Sequence, residues 1–213
     1  MNSTSPYSPS TADSQVAIAE LRFHKAALNL KKVVNHTPLQ LNQPLSRKYQ
    51  CNVYLKREDL QVVRSYKLRG AYNMMSSLSA EQLQKGVVCA SAGNHAQGFA
   101  YSCRRLNVKG VVFMPVITPR QKINQTRMFG EDAIEVQLVG DTFDDCANAA
   151  RQFTLDHQMT FIPPFDDHRI IEGQGTVALE ILEDFAPLAE APSNIIDFVF
   201  VPVGGGGLSA GVG

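Results

Sequence analysis

The sequence lacks several features that indicate particular classes of protein. It has no tryptophan, and its four cysteines form no C-x-x-C pair: Cys51, Cys89, Cys103 and Cys146. Such spacing favours neither a disulfide framework nor a zinc cluster, and because the histidines share no metal-like spacing either, we predict no metal site. Isolated thiols suit a reducing compartment, so we expect a cytoplasmic protein.

Excess charge and long apolar runs are also missing. Twenty Lys and Arg balance twenty Asp and Glu, which argues against nucleic acid as a partner. No apolar stretch approaches membrane-spanning length, so we expect no membrane partner. Residues 1–12 are rich in Ser, Thr and Pro without a basic start or an apolar core, which predicts a disordered tail and not a signal peptide.

What is present begins with a lysine between a strand pattern and a helix pattern. The strand is predicted at residues 53–57 and the helix from about Leu68 to Leu78, so Lys67 stands at the helix entrance. The positive end of the helix dipole disfavours an ammonium, which lowers the pKa and favours an amine that attacks carbonyls. Lys67 is therefore a candidate Schiff-base lysine. The alternative is a solvated surface charge beside Arg69.

A second motif follows the apolar strand at residues 86–89 and opens a helix that ends near Leu106. We call residues 91–95 the substrate loop; they are Ser91, Ala92, Gly93, Asn94 and His95. Small residues and the unpaired N–H groups of a helix start suit a carboxylate or phosphate, and the Asn94 amide can bind a ring oxygen. Taken alone, the segment equally fits an Asn cap beside a satisfied histidine.

A third motif follows the most apolar strand pattern, at residues 195–201. We call residues 204–208 the glycine loop; they are Gly204, Gly205, Gly206, Gly207 and Leu208. Four consecutive glycines are costly to order, so a plain turn is a poor explanation. Their amides can surround a phosphate as a nest.

Between these motifs, strand and helix patterns alternate. Strands are predicted at 87–90, 110–114 and 134–138. Helices are predicted up to about 106, at 119–129 and at 142–157, with a capping box at Ser79 and Gln82. This alternation predicts an α/β fold with a parallel, doubly wound sheet. Outside it we predict a helix at 13–34, a crossing between lobes at 161–165 and a helix at 173–185.

The three motifs together resemble the pyridoxal-phosphate enzymes of the tryptophan-synthase-β fold (fold type II), and among them the biosynthetic threonine dehydratases. The similarity lies in residues 54–61, 65–73 and 91–98 and in the tetraglycine, and it extends from about Thr37 to the last residue. Tyr66 departs from the family, where phenylalanine is commoner. The resemblance implies two parallel-sheet lobes with the cofactor between them: a large lobe of residues 13–71 and 162–213 and an inserted small lobe of residues 72–161.

The resemblance also implies roles for the motifs. Lys67 would hold pyridoxal 5'-phosphate and act as a base, Asn94 would bind the cofactor's ring oxygen, and the glycine loop would hold its phosphate. Backbone amides of the substrate loop would hold the carboxylate of L-threonine. The products would be 2-oxobutanoate and ammonia, in the first step towards isoleucine, with L-serine as a second substrate.

Alternatives remain at this point. Serine dehydratases and racemases share the motifs, although residues 56–61 and 67–72 favour threonine. A dinucleotide-binding oxidoreductase fits the pattern Gly205-x-Gly207-x-x-Ala210, but that reading leaves Lys67 and Asn94 unexplained.

The resemblance raises one more possibility, an inactive fragment. Family members continue for roughly a hundred residues or more, so we expect the C-terminal part of the large lobe to be missing. An isolated chain of this kind would have an exposed apolar sheet edge and poor solubility, whereas the full-length protein would be a homo-oligomer.

Overall fold

The computed structural model describes residues 21–188 and 195–213. The predicted tail and the first part of the predicted helix 13–34 lie outside these residues. Helix α1 (Phe23–Leu30) is the described part of that helix, and it ends in a turn before residue 34. It buries Ala26 and Leu30, which lie one turn apart on one face.

Two short strands and a helix follow α1. Strand β1 (Leu39–Leu41) pairs with β2 (Tyr54–Lys56) in an antiparallel ladder, and helix α2 (Gln43–Tyr49) connects them. The Asn42 side chain caps α2, because its Oδ1 accepts from the Leu45 N–H at 2.9 Å. The sequence predicted β2 but neither β1 nor α2.

A parallel sheet of four strands forms the centre of the molecule, in the order β5-β4-β3-β6. Helices α3 and α4 precede it, and three further helices alternate with its strands. In chain order these elements are α3 (Lys67–Ser76), α4 (Ala80–Lys85), β3 (Val87–Ala90), α5 (Asn94–Leu106), β4 (Gly110–Met114), α6 (Arg120–Gly130), β5 (Ile134–Leu138), α7 (Phe143–Asp156) and β6 (Thr160–Phe161). The predicted alternation is confirmed, and β3 and β4 are buried throughout.

Two helix starts in this region carry capping boxes, and the box predicted at Ser79 is confirmed. Ser79 and Gln82 form a reciprocal capping box at α4, and Thr142 and Asp145 form another at α7. In both boxes the side chain of the fourth residue reaches back to the backbone N–H of the cap residue. Local polar residues therefore fix where α4 and α7 begin.

Helix α8 (His168–Phe185) begins five residues before the predicted start at Gly173. The Asp167 side chain accepts from the Arg169 N–H at 2.8 Å and caps the helix there. Helix α8 lies against α3 with its backbone almost touching, since a Cβ atom on Gly173 would lie 2.6 Å from the Cα of Gly70.

Residues 195–201, predicted as a strand, lie outside any sheet, so this prediction is wrong for the described chain. A strand needs a hydrogen-bonded neighbour, and no described segment pairs with this one. Phe198 and Phe200 are 80% and 93% exposed. The second parallel sheet of the two-lobe prediction is likewise not formed by the described residues, and the lobe boundaries stay a prediction.

Helix α9 (Gly207–Val212) begins within the glycine loop and packs on α8, where a Cβ atom on Gly175 would lie 2.5 Å from the Gly211 carbonyl oxygen. Residues 21–188 and 195–213 contain no helix that is both long enough and apolar enough to cross a bilayer.

Candidate cofactor site

Lys67 is the first residue of α3, and its side chain is half-buried. Its Nζ donates to the Pro164 carbonyl oxygen at 2.7 Å and lies 5.6 Å from the centre of the Tyr66 ring. Burial lowers the pKa of the Lys67 ammonium. The pKa shift has the predicted direction, and its cause is desolvation by burial.

Helix α5 brings the substrate loop close to this lysine. A Cβ atom on Gly98 would lie 2.9 Å from the Leu68 backbone nitrogen and 3.0 Å from the Lys67 carbonyl carbon, so only glycine permits this approach. Asn94 is the first residue of α5, with an exposed side chain. Within the loop, the Ser91 Oγ accepts from the Gly93 N–H at 3.2 Å, and Ser91, Ala92 and Gly93 are half-buried.

His95, the last residue of the substrate loop, points into the protein. Its Nε2 lies 3.0 Å from the Ile162 carbonyl oxygen, which can only accept, so Nε2 carries the hydrogen. Burial lowers the pKa of His95 to about 4, and the ring is therefore neutral near pH 7. Its side chain anchors the loop, and the predicted role at the substrate belongs to its backbone.

The glycine loop lies against Phe165. A Cβ atom on Gly205 would overlap the Phe165 ring, and one on Gly207 would lie 2.9 Å from the Phe165 carbonyl oxygen. Gly206 has a φ of 86° and is the cap residue of α9, while Leu208 is buried. Lys67 thus contacts Pro164, and the glycine loop contacts the next residue, Phe165.

A buried ionic network beside the lysine was missed at the sequence level. Arg69, with no exposed surface, donates to Glu58 at 2.8 Å and to Glu180 at 2.7 Å. Lys56 also contacts Glu180, at 2.8 Å, and Asp184, at 2.9 Å. Burial disfavours the charge on Arg69, but Glu58 and Glu180 outweigh that cost and raise its pKa. The network joins the turn after β2, the start of α3 and the middle of α8.

The site residues fit pyridoxal 5'-phosphate on two observations. Buried polar atoms without a hydrogen-bond partner in the described chain include the Ser65 Oγ, two residues before Lys67, and the His95 Nδ1. In addition, Cβ atoms on Gly93, Gly204 and Gly206 would meet nothing within 4 Å. Open space therefore lies beside both loops, as a ring with a phosphate requires.

Sequence relatives show the family of the chain. The model of a family described as pyridoxal-phosphate dependent enzyme matches residues 30–213. The biosynthetic L-threonine dehydratase IlvA of Halalkalibacterium halodurans is 57% identical over 184 residues, which cover 86% of this chain and 43% of that protein. Its counterpart in Bacillus subtilis is 56% identical over 189 residues, 89% of this chain and 43% of that protein. The chain thus spans less than half the length of these relatives.

Solved structures agree. The processed form of threonine deaminase isoform 2 from Solanum lycopersicum has a TM-score of 0.75 and 44% identity, over 96% of this chain and 52% of that chain. Serine racemase from Dictyostelium discoideum has a TM-score of 0.77 and 34% identity, over 89% of this chain and 58% of that chain. The predicted α/β fold of the tryptophan-synthase-β type is confirmed. The family match over residues 30–213 includes the glycine loop.

Proposed function

The chain belongs to the family of pyridoxal-phosphate-dependent enzymes, and we propose that it carries the cofactor lysine and the substrate loop of an L-threonine dehydratase. The proposed reaction converts L-threonine to 2-oxobutanoate and ammonia. One observation carries the proposal: the half-buried amine of Lys67 donates to the Pro164 carbonyl, next to the Phe165 ring that contacts the glycine loop, in a chain 57% identical to a biosynthetic threonine dehydratase.

The division of labour follows from the environment of each group. Pyridoxal phosphate, when bound, supplies an acceptor for the electrons left at Cα when its proton is removed. Burial increases the neutral fraction of Lys67, so its amine would hold the cofactor's aldehyde and, when free, could take the Cα proton. The amides of the glycine loop would hold the phosphate, those of the substrate loop would hold the carboxylate, and Asn94 would bind the ring oxygen.

The test compares the chain with Lys67→Ala in the presence of pyridoxal 5'-phosphate. We expect the wild-type chain to form a covalent link that absorbs near the visible edge and that borohydride fixes at Lys67, and we expect the variant to form none. Lys85→Ala is the control, because Lys85 is exposed and pairs only with Glu81 among the described residues. A Lys67→Ala chain that retained the absorbance band would refute the assignment.

Product assays separate the remaining possibilities. Release of 2-oxobutanoate from L-threonine supports the dehydratase, and L-serine should also react, since one methyl group discriminates by only about 1–3 kcal/mol in an apolar pocket. Interconversion of L- and D-serine would instead favour a racemase, the second candidate, whose backbone is equally similar. Cofactor binding without turnover would identify an inactive fragment.

The same proposal includes a cytoplasmic location and a full-length protein that forms a homo-oligomer.

A further inference from the structure

Residues 162–165 connect β6 to the turn before α8, and we call them the bridge segment. Its first residue continues the parallel sheet, because the Ile162 N–H donates to the Val88 carbonyl oxygen at 2.8 Å. Ile162 itself has no exposed surface. The bridge segment therefore starts from a rigid part of the molecule.

All three motifs of the site contact the bridge segment. The Ile162 carbonyl accepts from His95 of the substrate loop at 3.0 Å, and the Pro164 carbonyl accepts from Lys67 at 2.7 Å. Phe165 lies with its ring against Gly205 of the glycine loop. Elements that are far apart in sequence thus meet on four consecutive residues.

The composition of the bridge segment suits this arrangement. Pro163 and Pro164 have a fixed φ and no N–H group, so the segment has little conformational freedom and the backbones of these two residues can only accept hydrogen bonds. Phe165 is 36% exposed, and its ring packs against the backbone of Gly205. A side chain at position 205 would push the ring or the loop away.

We propose that Phe165 is a positioning residue that holds the glycine loop at the distance from Lys67 which the phosphate of the cofactor requires. This inference rests on the proposed function, because it assumes that the loop binds that phosphate. The proposal states specifically that the Phe165 ring affects binding of the ligand's phosphate and does not affect the bond between its aldehyde and the Lys67 amine.

The experiment compares pyridoxal 5'-phosphate with pyridoxal, which has the same aldehyde without the phosphate. In Phe165→Ala we expect the dissociation constant for pyridoxal 5'-phosphate to rise at least tenfold while that for pyridoxal changes less than twofold. Phe165→Tyr keeps a ring and should restore wild-type affinity. Phe143→Ala, at another partly exposed phenylalanine, is the control. Equal losses for both ligands would overturn the proposal, since they would show a general structural role.

A double-mutant cycle tests the contact itself. Gly205→Ala should weaken binding of pyridoxal 5'-phosphate in the presence of the ring, and adding Phe165→Ala should relieve part of that loss. Gly204→Ala is the matched control, because its Cβ meets nothing within 4 Å and should combine additively with Phe165→Ala. Additive behaviour of the Gly205 pair would overturn the proposal.

A wild-type chain that bound neither aldehyde would refute the proposed function and this inference with it. Wild-type binding that Phe165→Ala left unchanged would refute this inference alone.

Discussion

Gly206 combines a positive φ with open space on the side where a Cβ atom would stand. In Gly206→Asp we expect at least a tenfold rise in the dissociation constant for pyridoxal 5'-phosphate, because the carboxylate repels a phosphate and the backbone is strained by about 1–3 kcal/mol. This dissociation constant is measured by following the absorbance band while pyridoxal 5'-phosphate is added. Gly206→Ala has the strain without the charge, so equal affinities of the two variants would show that charge plays no part.

His95 makes stability depend on pH. Its pKa is about 4 in the folded chain against an ordinary 6.5, so between these values the unfolded chain binds more protons. The free energy of unfolding is therefore fully retained above about pH 6.5 and falls by about 3 kcal/mol as the pH drops to 4.

Urea titrations at pH 7 and pH 4.5 measure this dependence. His95→Gln can still donate to Ile162 but does not titrate, so its unfolding free energy should change less between the two pH values than that of the wild type. His157→Gln, at an exposed histidine, should behave as the wild type does. The interpretation would be wrong if His95→Gln kept the full pH dependence.

Single residues differ in how far the sequence reveals them. Lys67 and Asn94 stand in short motifs whose chemistry is local, so their places at two helix starts could be predicted. The partner of Lys67 could not, because Pro164 is 97 positions away and contributes only a backbone carbonyl. Every residue type has a backbone carbonyl, so no pattern of side chains could identify Pro164 as the partner of Lys67.

At the scale of elements, the ionic network of Arg69 fixes α3 to α8. In Arg69→Leu the carboxylates of Glu58 and Glu180 lose their shared cation, and we expect the free energy of unfolding to fall by about 3–5 kcal/mol. Urea denaturation measures it. Arg104→Leu removes the exposed pair with Glu131 and should cost less than about 1 kcal/mol. Similar losses in both variants would contradict a special role for the buried network.

Most elements of the parallel sheet could be predicted because each is encoded locally, by an apolar run or a capping box. Strand β1 was missed because it has three residues and little burial, and the start of α8 was misplaced because Asp167 was not recognised as its cap. The strand prediction for residues 195–201 was wrong for another reason. Their apolar pattern favours a strand, but pairing depends on a neighbour that the pattern does not contain.

At the scale of the whole molecule, the segment 195–203 is the most conspicuous apolar surface. Five of its side chains are more than half exposed: Ile195, Phe198, Val199, Phe200 and Val203. We expect the chain to self-associate through this segment, because contiguous exposed apolar side chains favour contact with another copy.

Sedimentation velocity at several protein concentrations tests this expectation. Phe198→Lys with Phe200→Lys should shift the chain towards smaller species, since like charges oppose stacking of identical segments. Phe143→Lys, at an isolated exposed ring, should leave the distribution unchanged. If the double variant associated as strongly as the wild type, the contact would lie elsewhere.

The two glycines in the middle of α8 restrict how this protein can evolve. A Cβ atom at position 173 would meet the backbone of α3, and one at 175 would meet that of α9. Backbone atoms, unlike side chains, cannot be exchanged by a second mutation, so no compensating change in the neighbouring helices can make room. Positions 173 and 175 of α8 are therefore expected to remain glycine in homologous proteins that keep this packing.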